Sequence, residues 1–338
     1  MPHKERVKPV DNPEEDQNID SLLRPTTWAE YIGQEHVKKN LKVIIEAARK
    51  RGEPVDHLLF YGQAGLGKTT LARLVAREMS SPLKTTSGPA IEKTGDLAAV
   101  LSNLEANDIL FIDEAHRLNR MIEEVLYPAM ESRKLHIVIG KGAGARTVSI
   151  DLPPFTLIAA TTRVNLLSEP LRSRFGAILR LDYYDNKDIE LILERSARIL
   201  DVPITKEAIE VIAKASRFTP RVANRLLKRA RDYIQVKKKD SIDEEAARLT
   251  MEMLDIDKLG LEAHDRQLLM IIIDKFGGGP VGIGTLAAAL NEDRGAIEDV
   301  YEPYLLKLGL IRRTPAGRVA ELLAYEHLGR KPKGGELL

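Results

Sequence analysis

The stretch Gly62-Gln63-Ala64-Gly65-Leu66-Gly67-Lys68-Thr69 has the spacing G-x-x-x-x-G-K-T, in which glycines let backbone N–H groups close on phosphates. Lys68 is set to reach the β and γ phosphates and Thr69 to place its hydroxyl on magnesium. Thr70 is expected to open a helix whose positive end faces the anion. A second constellation is Asp113-Glu114, delivered by the apolar run Ile109-Leu110-Phe111-Ile112 to the strand end where open α/β sheets bind ligands. Two adjacent acids alone describe a solvated strand end. Beside a phosphate loop they describe hydrolysis: Asp113 holding magnesium through water, Glu114 polarising the attacking water. His116, which completes Asp-Glu-Ala-His, reads as a surface or hydrogen-bonded histidine. Arg172 and Arg174, in LSEPLRSRFG, follow the strand that ends at Thr161-Thr162, and a guanidinium at a γ-phosphate is worth about 10³ to 10⁵ in rate. Arg221 opens a basic helix (Arg225, Lys228, Arg229, Arg231) that otherwise reads as a solvated face.

Positioning these groups requires an α/β scaffold. Helical patterns alternate with the β-rich runs 57–62, 108–113 and 155–162, the rhythm of a parallel sheet with helices on both faces. From Asn186 to Asp257 the periodicity is helical only, which predicts a small all-helical domain. From about Gly260 a helix (Arg266 to Phe276), the turn GGGPVG, a helix from Leu286, a helix from Gly295 to Leu308 and the hairpin LIRRTPAGRVA describe a winged-helix module. The expected division is a tail at 1–20, a P-loop domain at 21–183, a helical lid at 184–257, the winged helix at 258–330 and a tail at 331–338. The first twenty residues read as disordered.

The 338 residues carry 51 basic and 50 acidic side chains, so bulk charge names no partner. Cysteine is absent, which removes thiol catalysis, disulfides and cysteine zinc sites, and fits a reducing cytosol. No apolar run approaches the ~18 residues of a spanning helix, so a cytoplasmic protein without membrane contact is expected.

Together the phosphate loop, RPTTWAEYIGQ, TTSGPAIEKTGDLAAVL, FIDEAHRLN, DLPPFTLIAATTR, PLRSRFG, TPRVANRLLKRARD and KFGGGPVG resemble the RuvB family of AAA+ motors, which migrate Holliday junctions in bacterial recombination and repair. The resemblance runs from about Leu22 to Gly329. It implies an ATP- and Mg²⁺-dependent translocase, working as a hexameric ring on duplex and junction DNA with RuvA, and with the RuvC resolvase among its partners. It puts Leu23, Arg24, Tyr31, Ile32 and Tyr184 at the nucleotide beside Gly62, Gly65, Gly67, Lys68, Thr69 and Thr70. Thr162 falls at sensor 1 and Arg221 at sensor 2. Arg174 matches the finger reaching a neighbour's γ-phosphate, near Glu131, Ser132 and Arg133 at a subunit interface. The hairpin 135–152, with Ile137, Ile139, Val148 and Ile150, matches the RuvA docking surface.

On the wing side, Glu298, Asp299 and Glu302 would repel phosphates and argue against base readout by their helix. Arg294, Arg312, Arg313 and Arg318 would supply sequence-independent, salt-sensitive phosphate contacts. The chain departs from the family pattern at four places. Gln63-Ala64 replace two prolines, a loosening of about 0.4–1 kcal/mol per site. Phe218 replaces a glycine, at about 1–3 kcal/mol if φ is positive. Ser132-Arg133 replace an acidic-aromatic pair, and Ala316 replaces an arginine. Two other readings stay open at this stage: an AAA+ assembly switch of the clamp-loader or initiator kind, and a DNA-binding ring with weak hydrolysis. A two-lobed DEAH helicase lacks room for its second sheet.

Overall fold

The computed structural model describes residues 21–139 and 146–332. The expected tails at 1–20 and from 333 onward, and the glycine-rich hairpin tip at 140–145, lie outside the described residues. The chain divides into two compact units, one comprising the chain up to Ile199 with Thr219–Asn224, the other Leu200–Phe218 with the chain from Arg225 onward.

The first unit is built on strands β1 (Leu58–Tyr61), β2 (Leu83–Ser87), β3 (Ile109–Asp113), β4 (Lys134–Ile139), β5 (Arg146–Asp151), β6 (Thr156–Thr161) and β7 (Ala177–Arg180). Five of them form a sheet in the order β2-β3-β6-β1-β7, and every pairing is parallel. The three inner strands are buried almost throughout. That burial on both faces is why LLFY, ILFID and TLIAAT read as near-continuous apolar runs. β2 and β7 lie at the edges, are only partly covered and carry mixed sequences, LKTTS and AILR, with no such signal. The helix Glu35–Arg51 lays Val37, Leu41, Ile45 and Ala48 inward at the spacing an amphipathic helix requires. A core of Leu59, Leu110, Ile112 and Leu157 from the sheet receives Leu97, Ile122 and Leu126 from the helices Thr94–Ser102 and Arg120–Glu131. β4 and β5 pair antiparallel as a separate hairpin.

The second unit contains the helices Lys206–Ala215 and Glu244–Met253, the helix Pro220–Lys237 from Arg225 on, and a winged-helix module. The basic helix is not a solvated face. Leu226, Leu227 and Ala230 are buried and so is Lys228, an arc wider than one helical stripe. In the module, the helix Ala263–Met270 continues into a π-helical turn, Ile271–Lys275, and begins earlier than the sequence pattern indicates. The next helix also starts early, at Ile283. Strands β8 (Ile311–Thr314) and β9 (Gly317–Ala320) form the wing, and an antiparallel bridge from Val281 to Arg318 adds to it. A closing helix, Leu322–His327, carries Ala324 and Tyr325 into the core with Leu268, Leu286, Ile297 and Leu305; the sequence reading had no element there.

Candidate nucleotide site

β6 lies between β1 and β3, so three loops leave the sheet side by side at its carboxyl edge. Tyr61 is in register with Thr161 and Ile112 with Ala159. The phosphate loop, Asp113-Glu114 and Thr162 therefore converge from sequence positions a hundred residues apart. The helix behind the loop begins at Lys68, two residues before the expected Thr70, because Gly67 at φ 97° serves as its N-cap. A side chain at Gly67 would start 2.8 Å from the Tyr31 hydroxyl, so glycine is required by both backbone and space.

Lys68 is buried and donates to the carbonyls of Gly62 and Gln63, each at 2.7 Å. Gln63-Ala64 thus closes the loop around the lysine without the two prolines. Burial lowers the Lys68 pKa to about 8; the Asp113 carboxylate opposes that shift and the Arg221 guanidinium adds to it. The Thr69 hydroxyl lies 3.4 Å from Asp113 Oδ2, which brings the two expected magnesium ligands together. Glu114 sits at φ 49°, half-exposed beside Arg117, a left-handed conformation costing about 1–2 kcal/mol for a residue with a side chain. Its carbonyl would meet a Cβ on Gly88 at 2.4 Å, so Gly88 makes room for the acidic turn. His116 is hydrogen-bonded to Thr161 at 3.0 Å, tying the acidic turn to the end of β6.

Leu23, Arg24, Pro25, Ala64, Thr70 and Thr162 line one cleft with Gly65, Gly67, Lys68, Thr69 and the two acids. Pro220, Arg221 and Asn224 complete it. Gly65 brings the loop close enough that its Cβ would stand 3.1 Å from that of Arg221. Asn224, one helical turn beyond Arg221, accepts from Ser196 at 2.8 Å. Neither Asn224 nor Pro25 was picked out from the sequence; the i, i+3 spacing from Arg221 was the available signal for the first. Tyr31 and Tyr184 are buried behind the loop, their hydroxyls 3.3 Å apart and both within 3.5 Å of the Leu66 carbonyl. Burial pushes both hydroxyls up, that of Tyr184 to about 12, so both stay neutral supports. Ile32 is half-buried outside the cleft lining.

Arg174, Glu131, Ser132 and Arg133 do not line this cleft. Arg174 is held at 3.0 Å from Glu131 and 4.5 Å above the Tyr127 ring, and it donates to the Pro170 carbonyl. Arg172 ends the short helix Glu169–Arg172. Arg133 takes φ 55° in the turn before β4. On the hairpin, Val148 and Ile150 are exposed while Ile137 packs against the core; the side chain of Ile139 lies outside the described ones.

In the winged-helix module one expectation is reversed. Glu302 does not confront solvent or phosphates. It is fully buried and bidentate to both Arg313 (2.8 and 2.9 Å) and Arg318 (2.8 and 3.1 Å). Burial raises the Glu302 pKa, but hydrogen bonds from the two guanidiniums outweigh it and leave the group below the ordinary value. Arg318 is only 13% exposed, so it braces the wing rather than projecting as a free cation; Arg313 keeps half its surface. Arg312 pairs with Glu321 at 2.6 Å, and Gly284 makes room for the Arg294 guanidinium. Phe218 does take a positive φ, 56°.

Among the described residues no helix is long and apolar enough to cross a membrane. Three family models cover the chain consecutively: the Holliday junction DNA helicase RuvB P-loop domain (23–181), the RuvB AAA lid domain (184–257) and the RuvB C-terminal winged helix domain (258–329). The Holliday junction branch migration complex subunit RuvB of Rubrobacter xylanophilus is 55% identical over 97% of this chain and 92% of its own length. Its counterpart in Chloroflexus aurantiacus is 56% identical over 96% and 93%. The Thermotoga maritima RuvB structure, described as a Holliday junction branch migration motor, superposes with a TM-score of 0.85 at 49% identity, covering 92% of this chain and 99% of that one. With a nucleotide-binding P-loop cleft and matches along nearly its whole length, the chain belongs to the RuvB family of AAA+ branch-migration ATPases.

Proposed function

We propose that the chain hydrolyses ATP with Mg²⁺ as one subunit of a homohexameric ring, and that it couples turnover to translocation of duplex DNA at a RuvA-bound Holliday junction in the cytoplasm. The division of labour follows the expected domains: 21–183 binds and hydrolyses, 184–257 carries sensor 2, and 258–330 grips DNA. RuvA docks on the β4-β5 hairpin through Val148 and Ile150, and RuvC joins the assembled junction complex.

The observation that carries this reading is the split between what lines the cleft and what does not. Lys68, Thr69, Asp113, Glu114, Thr162 and Arg221 are assembled in one chain, whereas Arg174 is held elsewhere by Glu131 and Tyr127. With Arg174 held away from its own chain's cleft, its proposed place is at a neighbour's γ-phosphate, which makes hydrolysis depend on assembly. Arg174→Ala is expected to bind ATP while losing about 10³- to 10⁵-fold in turnover. Mixing it with Glu114→Gln subunits should restore active interfaces. Mixed rings that form yet stay inactive would remove the assignment in trans. A ring that binds DNA but hydrolyses weakly is the second reading, favoured by Phe218 at positive φ beside sensor 2; steady-state hydrolysis with duplex DNA, RuvA and a four-way junction separates the two.

A further inference from the structure

Arg217 and Phe218 are, among the described residues, the only consecutive non-glycine pair at positive φ, both at 56°. They stand immediately before Thr219-Pro220-Arg221, and Pro220 and Arg221 line the nucleotide cleft. Such a conformation persists only where its surroundings hold it, and here the winged-helix module supplies holding groups for both residues. Arg217 donates to both Asp265 oxygens (3.2 and 3.4 Å) and to the Val300 carbonyl (3.2 Å), with its guanidinium 4.6 Å above the Tyr304 ring. Asp265 is fully buried and also accepts the backbone N–H of Glu262, so it has no freedom to release the arginine. The Phe218 ring meets that of Tyr304 at 6.0 Å, with the Lys307 ammonium 5.7 Å from it.

Val300, Tyr304 and Lys307 lie on the continuous helical stretch 294–307. The same stretch supplies Arg294 and, through Glu302, braces Arg313 and Arg318 of the wing. One element therefore holds both the wing cations and the strained dipeptide bonded to the sensor 2 segment. We propose that Arg217 is a positioning residue that clamps the backbone ahead of Arg221 to the 294–307 helix, so that engagement of duplex DNA by the winged helix sets the placement of sensor 2 and hence the rate of ATP hydrolysis. This rests on the reading above that the winged helix grips duplex DNA. Phe218, where the family pattern has glycine, adds an aromatic contact to the clamp that a glycine lacks.

The experiment is ATP turnover of the full chain with and without linear duplex DNA, for wild type, Arg217→Ala and Arg217→Lys, with duplex affinity, KM for ATP and melting temperature measured in parallel. For Arg217→Ala, the ratio of DNA-stimulated to basal turnover is expected to fall at least fivefold, with duplex affinity and KM within twofold of wild type. Arg217→Lys keeps a charge against buried Asp265 but cannot span Asp265, the Val300 carbonyl and the Tyr304 face together. It is expected to fold and still lose about threefold of the ratio. A wild type that responds to DNA alongside an Arg217→Lys that responds equally would overturn the clamp and leave the functional reading intact. A lowered melting temperature with an unchanged ratio would reduce Arg217 to a structural role and also overturn it. A wild type indifferent to duplex DNA would overturn the functional reading itself, and the clamp with it.

Discussion

The nucleotide cleft and the winged-helix module both bury charge, and they treat it oppositely. In the cleft, Lys68 donates to the carbonyls of Gly62 and Gln63, and burial takes its pKa to about 8 against the opposing pull of Asp113. In the module, buried Glu302 faces two arginines in four hydrogen bonds that hold its pKa below the ordinary value, while Asp265, also buried, faces Arg217 and yet has its pKa raised by burial. A buried charge without a counter-charge destabilises the fold and awaits an opposite one. A fully matched pair instead orients its neighbours and asks for no ligand. Lys68, buried with carbonyls as its hydrogen-bond acceptors, is thus suited to take an anion, and Glu302, matched by four hydrogen bonds, to position the wing.

That contrast is testable, first where the effect is largest. Glu114→Gln removes the proposed base but neither the loop nor Lys68. Turnover should fall about 10²- to 10⁴-fold while nucleotide affinity, followed by fluorescence titration, stays close to wild type; a parallel loss of affinity would place Glu114 among the binding groups.

Stability should then move in opposite directions in the two regions. Lys68→Met, which relieves an uncompensated buried ammonium, is expected to abolish nucleotide binding yet stabilise the empty protein by about 1–3 kcal/mol. Glu302→Gln removes the carboxylate that Arg313 and Arg318 share and should destabilise by about 1–3 kcal/mol, below the range for a fully buried pair because Arg313 reaches solvent and Arg318 keeps Glu298 at 3.6 Å. Denaturant unfolding of both variants reads the two signs, and equal signs would dissolve the comparison.

The pH response sharpens it further. Lys68 is a base whose pKa is depressed to about 8, and its proposed contact with phosphate requires the ammonium form. Nucleotide affinity should be full below about pH 8 and fall as pH rises through it, approaching tenfold per unit. Titrations between pH 7 and 9.5 test this, and a flat profile would mean the lysine stays protonated without its ligand. Glu302, with a pKa below the ordinary value, contributes stability above the unfolded carboxylate range and loses it only as pH falls through its folded pKa, far from the window in which Lys68 acts. The smallest expected effect is at the wing tip. Ala316→Arg should steepen the dependence of log duplex affinity on log salt by ~0.9, and an unchanged slope would place the tip away from the phosphates.

How much could be read without the structure follows from where each group sits. The inner strands were legible because burial on both faces forces continuous apolar runs; β2 and β7 were not, since edge strands carry no such demand. The phosphate loop and Asp113-Glu114 were legible because each is a local spacing. Asn224 and Gly88 were not, because their roles arise only when distant segments meet. Glu302 was read with the wrong consequence: along the chain it is one more acid on an acidic helix, and only the fold of β8 and β9 over it supplies Arg313 and Arg318.

The amino-acid order alone therefore determined the phosphate loop, the acidic pair, the parallel-sheet rhythm, the helical segment and the winged-helix pattern, because backbone preferences and hydrophobic period act over a few residues. The tertiary structure decided which charges face one another. It set Lys68 against the carbonyls of Gly62 and Gln63, gave Glu302 two cations, held Arg174 outside its own chain's cleft and clamped Arg217 against Asp265. Pairing depends on distances between segments far apart in sequence, and in a low-dielectric interior those distances set whether a charge binds a ligand or braces the fold.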